Sequence, residues 1–157
     1  MVDLNAVAAS RLSLAVLPRF RARNRGVLIN IASILAVHVL PTSSVYSGTK
    51  AYLASFTRGL QQEVSGSNVF VQLVLPATTA TDLWEISGVP LSRLDQATIM
   101  SAEDCVDAAL AGLDQAETVT LPSVEDRQLW DAYVAAALKL TAASQTGKAA
   151  SRYHVGK

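Results

Sequence analysis

The hydrophobic positions change period several times along the chain, and each change marks an element. Over residues 1–23 the apolar residues Leu4, Val7, Ala8, Leu12, Ala15 and Val16 recur at helical spacing, which predicts an amphipathic helix. Arg19, Arg21, Arg23 and Arg25 gather at its end, where cations complement the negative pole of the helix dipole. An anion-binding cluster is the other reading of the same four residues. Asn24-Arg25-Gly26 makes a turn, and Val27-Leu28-Ile29-Asn30-Ile31 is a short, mostly apolar run of β-formers. A strand apolar on both faces belongs in the middle of a parallel sheet covered by helices.

A loop of Pro, Thr and Ser at 41–44 leads to a second helix over about 45–64, closed by Gly66 as a C-cap. Residues 69–75 form another continuous apolar strand, ended by Pro76. Residues 77–100 hold Thr78, Thr79, Thr81, Gly88 and Pro90 without a clean period, which predicts a mobile loop with a short helix. Ser101-Ala-Glu-Asp104 is a capping box opening a helix to about Gln115. Residues 118–121 read as a third strand. Ser123-Val-Glu-Asp126 is a second capping box, opening a helix to about Ala143, and 144–157 is a polar, loose tail with Tyr153 as its candidate anchor. The order α-β-α-β-α-β-α predicts an α/β fold, one domain over 1–157, with a thin parallel sheet whose edge wants pairing.

Composition narrows the function classes. Hydrophobic residues make up 50% of the 157 and charged residues 17%, a balance that excludes disorder and small disulfide scaffolds. Lys plus Arg and Asp plus Glu are 13 each, whereas a protein that neutralises many phosphates is basic. Cys105 is alone, so no internal disulfide or structural zinc cluster is available. The apolar runs fall short of the roughly 18 residues of a membrane span, and no signal-peptide pattern opens the chain. These features predict a soluble, cytoplasmic chain with neither nucleic acid nor membrane as partner. Charge is uneven along it: residues 1–58 carry seven basic groups and one acid, residues 82–131 eleven acids and two basic groups. That asymmetry suits two halves, or two subunits, that attract each other.

Ser33, Tyr46 and Lys50 carry the most chemistry. Tyr46 and Lys50 are one helical turn apart on one face of the second helix. An ammonium so placed favours a phenolate over a phenol, and a tyrosine tuned this way exchanges a proton with a carbonyl or alcohol oxygen near neutral pH. Ser33 ends the first strand, where a hydroxyl can point into the crevice beyond the carboxyl edge of the sheet. Alone, a Tyr-x-x-x-Lys pair on a surface helix is equally a shared face without function. His38 and His154 lack ligand partners at metal spacing, and no Gly-x-Ser-x-Gly elbow supports a hydrolase. Cys105 reads as a small core residue. Trp84 either lines a substrate pocket or anchors a lid, and Trp130 packs with Tyr133, Val134 and Leu138 on the face of the last helix.

Gly26-Val-Leu-Ile-Asn-Ile-Ala-Ser33, Tyr46-Ser-Gly-Thr-Lys50 and Val74-Leu-Pro-Ala-Thr-Thr-Ala-Thr81 follow one another in the order and spacing of the short-chain dehydrogenase/reductase family, which the chain strongly resembles. Leu4-Asn5 before an Ala-rich helix ending Leu17-Pro18-Arg19-Phe20 matches too. The resemblance covers about residues 1–85 and extends loosely beyond. It implies the second half of a doubly wound, Rossmann-like three-layer fold. It also implies an NAD- or NADP-dependent oxidoreductase that interconverts a carbonyl and a secondary alcohol.

By that resemblance Asn5, Ser33, Tyr46 and Lys50 match the catalytic positions. Tyr46 is the general acid/base, Ser33 binds the substrate oxygen, Lys50 acts on Tyr46 and the nicotinamide ribose, and Asn5 holds a relay water. Pro76, Thr79 and Thr81, with Tyr46 and Lys50, match cofactor contacts. Ala77 stands where the family has glycine, which bears on nicotinamide geometry. No Gly-x-Gly turn or Asn-Asn-Ala-Gly segment is present, so the pyrophosphate and adenosine site of the family has no counterpart in these residues. The family also implies a dimer or tetramer through helices 2–23 and 45–64. A cofactor-free oligomerisation or scaffold module, truncated from the full fold, is the competing expectation.

Overall fold

The computed structural model describes residues 1–153, and where the sequence suggests one domain the chain groups into two compact units, Met1–Ser123 and Val124–Lys157. The first unit opens with a π-helical turn, Asp3–Ala8, that runs directly into helix α1, Ala9–Ala22. Strand β1, Gly26–Ile31, follows; helix α2, Ser44–Glu63, then leads to strand β2, Val69–Val74. The short helix α3, Leu83–Ile86, and two 3-10 turns, Leu91–Arg93 and Gln96–Thr98, fill the loop before helix α4, Ala102–Asp114. Strand β3, Val119–Thr120, ends the unit's regular structure. The second unit holds helix α5, Gln128–Ser144, and the 3-10 turn Ser151–Tyr153. No helix among the described residues is long and apolar enough to cross a membrane.

The sheet order is β1-β2-β3, all parallel, with β1 and β2 in register from Gly26–Val69 to Ile31–Val74. The strands' starts are tied as well: Asn24, in the left-handed region at φ 47, accepts the Asn68 backbone N–H on its Oδ1 at 3.0 Å. Alternation along β2 separates two layers. Val69 and Val71 pack with Leu17 of α1 and Leu60 of α2, joined by Phe20, Leu28 and Phe56. Gln72, on the opposite face, bonds to the Ala109 carbonyl of α4. Helices therefore cover both faces of β2, the partial Rossmann-like arrangement expected. Gly26 is required by contact, because a Cβ there would fall on the Phe20 ring, at 2.3 Å from Cγ.

Two expectations need correction. β1 is an edge strand rather than the sheet's middle: Val27 and Ile31 are 50% and 58% exposed. The middle position of the three-stranded sheet belongs to β2, and α4 packs on β2 and β3. The second capping box does not form either. Ser123 stays in a turn, and Asp126 Oδ1 takes the Gln128 N–H at 2.9 Å, so a nearer carboxylate starts α5 in place of the serine. The first box does form, with Ser101 Oγ accepting the Asp104 N–H at 2.9 Å.

Leu73 has no exposed surface, in the central strand between the two helical layers. Leu73→Ala lowers stability by about 2–5 kcal/mol, whereas Leu140→Ala, at a residue 73% exposed on α5, changes it by less than about 0.5 kcal/mol. Urea unfolding midpoints check the contrast.

Candidate active site

Parallel strands end at one edge of the sheet, and here that edge is a built site. Beyond β1 and β2 the ladder continues for two further bonds, Ala32 N–H to the Val74 carbonyl and Ile34 N–H to the Pro76 carbonyl, both at 2.9 Å. These hold Ser33 beside the start of the loop that follows β2. Ser33 has extended backbone, is buried, and its Oγ accepts the Leu35 N–H at 3.1 Å. Its hydroxyl hydrogen is therefore available to donate elsewhere.

α2 begins at the same edge, because a crossover helix starts where the first strand stops. Tyr46 lies in its first turn and Lys50 one turn on, with the Lys50 ammonium 5.7 Å from the Tyr46 ring centroid. Lys50 Nζ donates to the Ile31 carbonyl at 3.1 Å. Burial, which penalises the charged ammonium, pushes the Lys50 pKa below the ordinary lysine value.

Ser33, Tyr46 and Lys50 line a single cleft of about 290 Å³, together with Pro76, Thr79 and Thr81. Lys50 is the one formally charged residue in a lining otherwise dominated by Ile31, Leu83, Trp84 and Val106. A lone cation in an apolar cleft favours an oxygen that gains negative charge. Ala77 also lines it.

Asn5 is placed differently: it does not line the cleft, and its Nδ2 donates to Thr49 Oγ1 at 3.0 Å, which in turn donates to the Tyr46 carbonyl at 2.8 Å. The π-helical turn presents it to the back of α2. Trp84 lines the cleft and is also anchored, since its Nε1 donates to the Thr79 carbonyl at 2.8 Å.

Cys105 is not a core residue: it is half-buried and lines the cleft with Ala102 and Val106. The first turns of α4 overhang the strand ends, so the face that packs on the sheet at Ala109 becomes cleft wall one turn earlier. The spacing 102, 105, 106, 109 is the signal that would have found them. His38 is exposed in a bend, His154 lies outside the described residues, and no metal-binding cluster occurs among the described residues.

The family model for short chain dehydrogenase matches residues 1–88. A very-long-chain 3-oxoacyl-CoA reductase of Danio rerio is 34% identical over 103 residues, 66% of this chain and 32% of that protein. The structure is similar to a short-chain dehydrogenase from Sphingobium yanoikuyae in complex with NADPH, with TM-score 0.90 and 36% identity, covering 95% of this chain and 57% of the other. It is similar also to a bulky-bulky ketone specific alcohol dehydrogenase from Comamonas testosteroni, with TM-score 0.83 and 32% identity over 97% of this chain and 56% of the other. The chain thus spans from about a third to a little over half the length of these proteins.

The lowered Lys50 value has a consequence with a definite sign. The unfolded chain holds this proton to higher pH than the folded one, so stability contributed at this position rises with pH in the window below 10.5. Urea midpoints taken stepwise through that window are expected to rise in the wild type relative to Lys50→Met, in which no ammonium has to be buried.

Proposed function

This chain belongs to the short-chain dehydrogenase family, and from that membership we propose that its cleft interconverts a carbonyl and a secondary alcohol with NAD or NADP. The observation that carries the proposal is the convergence of Ser33, Tyr46 and Lys50 on one cleft with Pro76, Thr79 and Thr81. The residues fit the nicotinamide and ribose end of the cofactor: the Lys50 ammonium and the two threonine hydroxyls are donors around a cavity near the lower limit for small-molecule sites. Nothing in the sequence supplies the Gly-rich turn that would take the pyrophosphate. NAD or NADP, when bound, supplies or accepts the hydride.

In the reducing direction Tyr46 Oη gives its proton to the substrate oxygen as that oxygen gains charge. Ser33 donates its hydroxyl hydrogen to the same oxygen, that hydrogen being left available while the oxygen accepts the Leu35 N–H. The Lys50 ammonium stabilises the charge left on the Tyr46 oxygen, and its donors not used on the Ile31 carbonyl would hold the ribose hydroxyls of the cofactor. Asn5, one bridging hydroxyl from the Tyr46 carbonyl, holds the helix turn that carries Tyr46. The apolar walls formed by Ile31, Leu83, Trp84 and Val106 suit a nonpolar carbonyl compound. Tyr46→Phe keeps the ring packing and removes the proton, so NAD(P)H-dependent reduction is expected to fall by about 10²–10⁴-fold. Unchanged turnover in that variant overturns the assignment.

The active form is a homo-oligomer through the helices over 2–23 and 45–64. Leu4, Leu12 and Val45 are 74%, 68% and 58% exposed on these helices, and Gly48 has open space where a side chain would stand. Glycine inside a helix costs about 1 kcal/mol relative to alanine, a cost offset where a second helix comes close. Val45→Glu places a charge on that face without touching a buried residue. It is expected to shift the chain to monomer in light scattering while its circular dichroism stays unchanged; an unaltered mass argues for another face.

A further inference from the structure

Ala102, Cys105 and Val106 bring α4 into the cleft wall, and the same helical face continues to Ala109 and Gly112, where α4 rests on the sheet. That contact is polar, as is the buried bond from Asn30 Nδ2 of β1 to Thr57 Oγ1 of α2 on the opposite face. Gln72 of β2 is fully buried, and its Nε2 donates at 2.9 Å to the Ala109 carbonyl and at 2.9 Å to Thr120 Oγ1 of β3. The Ala109 carbonyl lies inside the helix and accepts a helical N–H as well, so the amide adds a second donor to it. At Gly112 a Cβ would fall 2.3 Å from the same Thr120 Oγ1, so helix and strand approach too closely for a methyl group. Gln72 Oε1 has no hydrogen-bond partner among the described residues. An apolar side chain of similar volume would leave no such acceptor without a partner, so filling space does not account for an amide at this position.

We propose that Gln72 is a positioning residue: by clamping α4 at Ala109 and β3 at Thr120, it fixes where Cys105 and Val106 stand in the cleft wall and so limits the bulk the cleft admits. The bearing on substrate bulk rests on the carbonyl-reduction reading above, whereas the clamp itself does not.

The test reads the wall through the thiol of Cys105, the single cysteine of the chain. The 157-residue chain is labelled with dithiodipyridine across a series of urea concentrations below the unfolding transition. A labelling rate independent of urea reports local opening of the wall, and a rate that climbs with urea reports global unfolding. Gln72→Met keeps the volume and removes both donated bonds; its urea-independent rate is expected to rise about tenfold. Thr120→Val leaves the Ala109 bond intact and is expected to raise it about threefold.

Val69→Ala, in the core on the opposite face of the sheet, lowers global stability and leaves the urea-independent rate within about twofold of wild type. A Gln72→Met rate unchanged, or matched by Val69→Ala, overturns the proposal. Should Gln72→Met fail to fold, Thr120→Val decides, and an unchanged rate there overturns it equally. Turnover plays no part in this readout, so loss of the proposed reaction and loss of the clamp are separate results.

Discussion

Everything chemical in this chain depends on the parallel pairing of Gly26–Ile31 with Val69–Val74. Two parallel strands reach the same edge, so the residues that follow them become neighbours however far apart they are in sequence. Two bonds beyond the strands, at Ala32 and Ile34, extend the ladder just far enough to place Ser33 against the start of the Pro76–Thr81 loop. The connecting helix has to begin at that edge and run back along the sheet. Its first two turns are therefore the part that reaches the crevice, and Tyr46 and Lys50 occupy those turns. A register slip of one residue would turn Ser33 away and leave the helix face without an opposing wall.

That geometry carries an electrostatic cost. Lys50 is drawn into a mostly apolar cleft with a backbone carbonyl and an aromatic ring for company and no carboxylate. Desolvation makes its charge expensive, which is the sign of the lowered pKa. A cation kept under such conditions is poised for an oxygen that acquires negative charge during a reaction, and perturbed groups of this kind gather at functional sites. On the other side of the sheet Gln72 keeps a polar clamp at the cost of an acceptor without a partner. Both features place polarity where a simple core would have none: Lys50 lines the cleft, and Gln72 is bonded to the helix that supplies part of its wall.

Local and long-range signals separate clearly in this molecule. Helices α1, α2 and α4 and strands β1 and β2 appear close to where periodicity places them, because amphipathic spacing and caps act within a few residues. Ser101 caps α4 as its spacing demands, whereas Ser123 loses its helix start to Asp126, a competition between two local caps that spacing does not rank. β1 has the composition of a buried strand and yet lies at the edge, since what covers a strand is decided by other elements. Cys105 belongs to a face that is core at one end and cleft at the other, a distinction drawn by where the sheet stops.

By itself the sequence determined the order of elements and the parallel α/β class, because amphipathic spacing and turn residues are local facts, and its resemblance to a known family singled out Ser33, Tyr46 and Lys50 where spacing alone left a plain shared helix face equally open. The tertiary structure alone decided that Asn5 reaches Thr49 rather than the cleft and that Trp84 is anchored on Thr79. It alone decided also that α4 supplies a wall held by Gln72. Each of these is a contact between residues brought together by packing, and side-chain contacts across elements depend on the distance and tilt of whole helices and strands, which no short-range pattern encodes.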